Sequence, residues 1–147
     1  MTETTASFAA GTDPQAPRPA ASLVLLRDSA NGLEVLMMER PADDRVLSGA
    51  HVFPGGKLDP EDGHDAVLGR VDAHPDALHA RLGEAGLDVT EGAALFVAAI
   101  REAFEEAGVL LADGVTASMI DQAGSMRREG RPFAEVLQAL DVRLDPT

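Results

Sequence analysis

Short apolar runs separated by turn residues follow the polar start of the chain. Residues 22–27 (SLVLLR) and 33–38 (LEVLMM) are two such runs, and Asn31-Gly32 lies between them. Asn-Gly adopts the positive φ angles of a tight turn at little cost, so the pattern predicts an antiparallel hairpin. Residues 51–53 (HVF) predict a third short strand, which ends at Pro54-Gly55-Gly56.

Helical spacing of apolar residues replaces this pattern in the second half. Pro75 opens a short helix over residues 75–85, closed by Gly86. A longer helix is predicted from an N-cap at Thr90 to residue 107, with Gly108 at its end. Residues 117–128 and 132–140 predict two further helices, and residues 142–144 fit the beginning of a strand.

The two ends of the chain and its overall hydrophobicity bear on domain organisation. A length of 147 residues with 45% apolar residues suits one domain with its own core, predicted over residues 22–147. Residues 1–21 contain prolines and alanines without hydrophobic period, which predicts a disordered tail. No run approaches the roughly 18 apolar residues of a membrane span, and the tail lacks the features of a signal peptide. We therefore expect a cytoplasmic protein that does not contact membranes.

Charge and cysteine content exclude several kinds of site. Twenty-five acidic against 12 basic residues give a net charge of −13, whereas binding to nucleic acid requires a basic face. A phosphate-bearing ligand would need a divalent cation between the two sets of negative charges. The absence of cysteine excludes disulfides, thiolate nucleophiles and Cys-ligated zinc.

Three glutamates share one face of the long predicted helix. Glu102, Glu105 and Glu106 stand at i, i+3 and i+4, and like charges at this spacing repel unless they are neutralised. Mg²⁺ prefers carboxylate oxygens, so a cation site is one interpretation; a solvated acidic helix face is the other. Arg101 either orients the carboxylates or is an ordinary surface base.

Paired glycines follow the third predicted strand. Gly55 and Gly56 let the backbone pass close to another group and expose its amide or carbonyl to a ligand. A plain Pro-Gly turn is the alternative interpretation.

Together, the glycines and the glutamate helix resemble the Nudix box: Gly, five residues, Glu, seven residues, then Arg-Glu-U-x-Glu-Glu-x-Gly-U, where U is aliphatic. Residues 101–109 (REAFEEAGV) match the second half. Counting from Gly56 puts Asp62 at the position of the first Glu, and counting from Gly55 puts Glu61 there. The much longer segment 63–100 replaces the seven-residue spacer; members resembling the peroxisomal coenzyme A diphosphatases carry an insertion at this point.

A segment before the box resembles the signature of the members that cleave coenzyme A. Arg40, Arg45, Gly49 and residues 53–56 (FPGG) keep its spacing, although Met38 and Pro41 depart from its pattern. Arg40 and Arg45 would suit a phosphate-bearing ligand through forked hydrogen bonds, or they are surface residues of a loop.

The resemblance, over roughly residues 22–112, implies an α+β fold in which a mixed β-sheet is flanked by helices, an α/β/α sandwich. The insertion would span about residues 63–90. Because only the segment 110–147 follows Val109, we expect the later strands to be missing and the domain to be truncated. An open sheet edge would then permit a homodimer.

The resemblance also implies hydrolysis of a diphosphate linkage in a nucleoside diphosphate derivative, with coenzyme A or acyl-CoA as the first expectation. Mg²⁺ or Mn²⁺ would be the cofactor. The alternatives are an inactive Nudix-like fragment that binds metal, nucleotide or a partner, and an all-helical acidic interaction module. The implied roles are catalytic for Arg101, Glu102 and Glu105, with either glutamate as the general base; substrate-binding for Arg40, Arg45, Gly55 and Gly56; and metal-binding for Gly56, Glu102, Glu105 and Glu106.

Overall fold

The computed structural model describes residues 17–43 and 48–146. Among these residues, six short strands come first and five helices follow, with a 3₁₀ turn at Pro60–Gly63 between them. The strands are β1 (Ala20–Ser22), β2 (Leu26–Ser29), β3 (Gly32–Val35), β4 (Met38–Glu39), β5 (His51–Val52) and β6 (Gly55–Lys57). The helices are α1 (Asp65–Leu68), α2 (Pro75–Leu82), α3 (Val89–Ala107), α4 (Ala117–Arg128) and α5 (Phe133–Leu140).

The strands of the described residues form three antiparallel pairs, β1–β6, β2–β3 and β4–β5. In β2–β3, Leu26 pairs with Val35 and Ser29 with Gly32, whose φ is 107°. This confirms the hairpin and the use of Gly32 at its turn, with shorter strands than predicted. The α+β class is confirmed as well. The expected mixed sheet appears as three separate pairs, because strands of two to four residues present few backbone groups for a continuous ladder.

Strand β6 corrects two predictions. Gly55 and Gly56 do not form a plain turn after β5; they continue as a strand that pairs with β1. A Cβ at Gly55 would collide with the Ala21 carbonyl and Ser22, so the close pairing depends on glycine. Strand β1 therefore includes residues 20 and 21 of the predicted tail over residues 1–21; residues 1–16 of that prediction lie outside the described part.

Helix boundaries follow local capping chemistry. The N-cap of α3 is Asp88, whose side chain accepts a hydrogen bond from the Glu91 amide at 2.9 Å, so the prediction of Thr90 is wrong. Helix α2 ends at Gly83, with a φ of 72°, and not at Gly86. Gly108, with a φ of 70°, ends α3 as predicted. Because six strands are present among the described residues, the all-helical interpretation is wrong.

The segment between the two halves of the box contributes to the main core. Val67, Val71 and Leu78 are buried in one cluster with side chains from α3, α4 and α5. Phe104 of α3 stacks on Phe133 of α5, with ring centroids 6.2 Å apart. The residues of the insertion are therefore held by the same apolar burial as the box helix.

The chain returns to the inserted segment at Leu144, which is fully buried. Its amide donates to the Arg70 carbonyl at 2.7 Å, and its carbonyl accepts from the Asp72 amide at 2.8 Å. On the other side, Leu144 forms a bridge with Ala112. The strand predicted at residues 142–144 is thus present as two isolated bridges that join distant parts of the chain.

In the described part of the chain, no helix is long and apolar enough to cross a membrane.

Leu144→Ala should lower the free energy of unfolding by about 2–5 kcal/mol, because it leaves a cavity in the core. The matched control is Leu26→Ala in β2, where the leucine is 57% exposed and a change within about 0.5 kcal/mol is expected. Urea unfolding measures both. Equal losses would contradict the role assigned to Leu144.

Candidate functional site

The two glycines of β6 lie directly against the glutamates of α3. A Cβ at Gly56 would overlap the carboxylate of Glu102. The Gly55 amide donates to Glu106 Oε2 at 3.0 Å. Because Glu102 and Glu106 are four residues apart, they occupy the same face of α3. That face lies against Gly55 and Gly56 of β6, which have no side chains.

Arg101 connects this strand and helix to the 3₁₀ turn. Its Nε donates to Asp62 Oδ1 at 2.8 Å, and its Nη2 donates to Asp62 Oδ2 at 3.0 Å. Asp62 is only 1% exposed and also accepts from the Asp59 amide. The neighbouring Glu61 is exposed. Of the two acids at the first-glutamate position, Asp62 is therefore the one that pairs with the box arginine.

The remaining donors of Arg101 are also used. Nη1 donates to Glu102 Oε1 at 2.9 Å and to Glu105 Oε2 at 3.4 Å, and Nη2 donates to the Lys57 carbonyl at 3.1 Å. Burial alone would lower the pKa of Arg101, but the hydrogen bonds and charges of Asp62 and Glu102 raise it above its ordinary value. The guanidinium of Arg101 therefore stays charged and holds both Glu102 and Glu105.

Glu105 has a second charged neighbour besides Arg101. Its Oε1 lies 3.8 Å from Arg127 Nε at the end of α4. Glu105 and Arg101 also line a polar cavity of about 230 Å³. The cavity is bounded by the 3₁₀ turn on one side and the start of α5 on the other, and its other lining residues are Asp59, Glu61, Asp62, Val67, Arg131, Pro132 and Phe133.

The donor set suits a hard divalent cation in its chemistry, because carboxylates on one helix face lie beside the backbone of β6. In residues 17–43 and 48–146, no three acidic or histidine side chains converge into an ion-binding group. Each glutamate is instead bound by an arginine or an amide. A cation would therefore replace one of these partners.

The residues predicted to bind substrate differ in where they lie. Gly55 and Gly56 are at the site. Arg40 follows β4, and its backbone pairs with Ala50 and Gly49 across the loop between β4 and β5; Arg45 lies outside the described residues. Arg127 was not predicted, because a contact between α3 and α4 leaves no mark in the spacing of residues along either helix.

Comparison with known proteins supports this geometry. No protein-family model matches the chain. The acyl-coenzyme A diphosphatase NUDT19 from Homo sapiens is 34% identical over 102 residues, which are 56% of this chain and 27% of that protein. The crystal structure of a NUDIX hydrolase from Alicyclobacillus acidocaldarius superposes with a TM-score of 0.59 at 31% identity, over 88% of this chain and 57% of that one. This chain is similar to Nudix hydrolases. It spans about a quarter of the human relative and just over half of the solved structure.

The Nudix box pattern is continuous in sequence. In this chain, the segment 63–100 separates its two halves. The pair Asp62–Arg101 and the contact Gly56–Glu102 bring the halves together. The Nudix resemblance proposed from the two separated segments is thus confirmed.

Asp62→Asn should lower the free energy of unfolding by about 3 kcal/mol, because it leaves the charge of Arg101 without its buried partner. Glu61→Gln, one position earlier and exposed, should change it by less than about 0.5 kcal/mol. Chemical denaturation of both variants measures the difference. A loss of the same size in Glu61→Gln would show that the assignment of Asp62 is incorrect.

Proposed function

We propose that this protein is a divalent-metal-dependent hydrolase that cleaves a diphosphate linkage in a nucleoside diphosphate derivative, with coenzyme A or acyl-CoA as the preferred substrate. The observation that supports it best is the contact of the β6 glycines with Glu102 and Glu106, held in place by the Asp62–Arg101 pair. Members of the Nudix family generally use divalent metal ions. Mg²⁺ or Mn²⁺ is our proposal for this chain.

Glu102, Glu105, Glu106 and the Gly56 carbonyl would hold the ion. When bound, it would neutralise charge on the diphosphate oxygens and lower the pKa of a water molecule. Glu102 or Glu105 would accept the proton of the attacking water.

Arg101 acts by positioning in this scheme. Its side chain is only 12% exposed, and its donors are committed to Asp62, to the Lys57 carbonyl and to the glutamates. It keeps the Glu102 carboxylate beside Gly56. Arg40 and Arg45 are proposed to bind phosphate groups of the substrate.

The substrate class is supported by the human relative, whose name describes an acyl-coenzyme A diphosphatase. The spacing of the segment before the box points to the same class. A chain with a net charge of −13 repels polyanions at long range, so a small diphosphate bridged by a cation fits better than nucleic acid.

A binding protein without turnover is the second candidate. It is favoured by one observation: each of the three glutamates already has an arginine or amide partner. In that case metal or nucleotide would bind and no bond would be cleaved.

We also propose that the protein associates with a second copy of itself through its strand edges. Leu26, Leu33 and Val35 of the β2–β3 hairpin are exposed by 57%, 67% and 45%, which supports burial of this hairpin against a second copy.

The function is tested by incubating the purified protein with Mg²⁺ or Mn²⁺ and coenzyme A, acetyl-CoA, nucleoside diphosphate sugars or dinucleotides. We expect coenzyme A to yield phosphopantetheine and an adenosine bisphosphate, resolved by chromatography. Glu102→Gln and Glu106→Gln should each reduce kcat by about 100-fold or more. Glu91→Gln, in the first turn of the same helix, should leave kcat unchanged.

Two results would count against the proposal. Failure to cleave any compound of the panel, while Mn²⁺ still binds and depends on Glu102 and Glu106, would favour the binding protein. Cleavage that is insensitive to both glutamate variants would place the reaction elsewhere.

Gly56→Ala tests the geometry of the site separately from the stability of the fold. The new Cβ meets the far end of the Glu102 side chain, which can move, so the melting temperature should change little. The displaced carboxylate should lower kcat/KM by about tenfold or more. Gly86→Ala is the control, because its Cβ would enter open space. Full activity in Gly56→Ala would refute the role of this contact.

A further inference from the structure

Arg127 lies outside the Nudix box and approaches a box carboxylate with its charged group. Its Nε lies 3.8 Å from Glu105 Oε1, while Arg101 Nη1 lies 3.4 Å from Glu105 Oε2. Two guanidinium groups therefore hold the two oxygens of one carboxylate from opposite elements, α3 and α4.

The packing of α4 places Arg127 at this point. Ala123 and Met126 are buried in the main core cluster, which also contains Phe104 of α3. Arg127 follows Met126 directly and extends toward Glu105, with 44% of its side chain exposed. Its backbone is therefore fixed, whereas its guanidinium is free to exchange partners with solvent ions.

The two contacts of Glu105 differ in strength. Arg101 is mostly buried and tied to Asp62 by two short hydrogen bonds. Arg127 makes a long ion pair with high exposure, and such pairs contribute little and are easily replaced. A divalent cation carries twice the charge of a guanidinium and is the stronger competitor for a carboxylate.

We propose that Arg127 is a positioning residue that competes with the divalent cation for Glu105. It holds Glu105 toward α4, so that Glu102 and Glu106, beside the β6 glycines, form the first cation-binding pair. Glu105 joins them when the cation displaces Arg127. This inference rests on the proposed cation site.

The experiment is a titration of the metal-free protein with Mn²⁺ alone, followed by electron paramagnetic resonance of the free ion. Arg127→Ala should bind Mn²⁺ about three- to fivefold more tightly than the wild-type protein, because a partly exposed competitor has been removed. Arg128→Ala removes the same charge one position later, from a side chain that donates to Ser125 Oγ. It should change the dissociation constant by less than about twofold, since distant exposed charges are screened.

Two further variants identify the mechanism. Arg127→Lys should restore the wild-type dissociation constant, because it retains the positive charge. In a Glu105→Gln background, Arg127→Ala should have no further effect on Mn²⁺ affinity, since the shared carboxylate is gone. Melting temperatures of the metal-free variants verify that each one is folded.

Different results overturn different proposals. Equal tightening in Arg127→Ala and Arg128→Ala, or weaker binding in Arg127→Ala, overturns the inference and leaves the cation site intact. Persistence of the Arg127→Ala effect in the Glu105→Gln background also overturns it. A wild-type protein that does not bind Mn²⁺ overturns both this inference and the proposed function.

Discussion

The guanidinium of Arg101 donates all five of its N–H groups within one small, mostly buried network. Its acceptors come from the 3₁₀ turn, from β6 and from α3 itself. Each of these elements is separated from the others by loops or by the inserted segment. The network makes them a single unit, and a lysine could not replace the arginine because it lacks the planar fork that binds Asp62.

This network also explains how the box tolerates a long segment between its halves. The insertion does not need to be compact by itself, because Val67, Val71 and Leu78 are buried against the helices that follow. Loop closure costs only a little more as a loop lengthens. The apolar contacts of the insertion and the buried ion pair at its beginning offset that cost, and the glycines of β6 meet the glutamates of α3.

Local signals in the sequence predicted a large part of this fold. Asn31-Gly32 indicated the hairpin, Gly108 the end of α3, and the spacing of three glutamates indicated a common helix face. Choices between equivalent neighbours were not predictable. Gly83 and Gly86 are both suitable helix ends, and Asp62 and Glu61 are both suitable acids. The helix turn geometry and the depth of burial decide between them, and neither is encoded in residue type.

The site itself was predicted less completely, because contacts across elements depend on packing. The spacing of the glutamates and the paired glycines resembled the Nudix box, so their contact was expected. The direction of each carboxylate was not: Glu102 and Glu106 face β6, whereas Glu105 faces Arg127. Only the placement of α4 by its buried residues distinguishes the third glutamate from the other two.

The bridge at Leu144 has a consequence for the order in which the chain assembles. Its partners at positions 70–72 lie far from it in sequence, and contacts of such high contact order form slowly. During synthesis the inserted segment leaves the ribosome long before residue 144. The inserted segment therefore stays without its last partner until the chain has grown to that point.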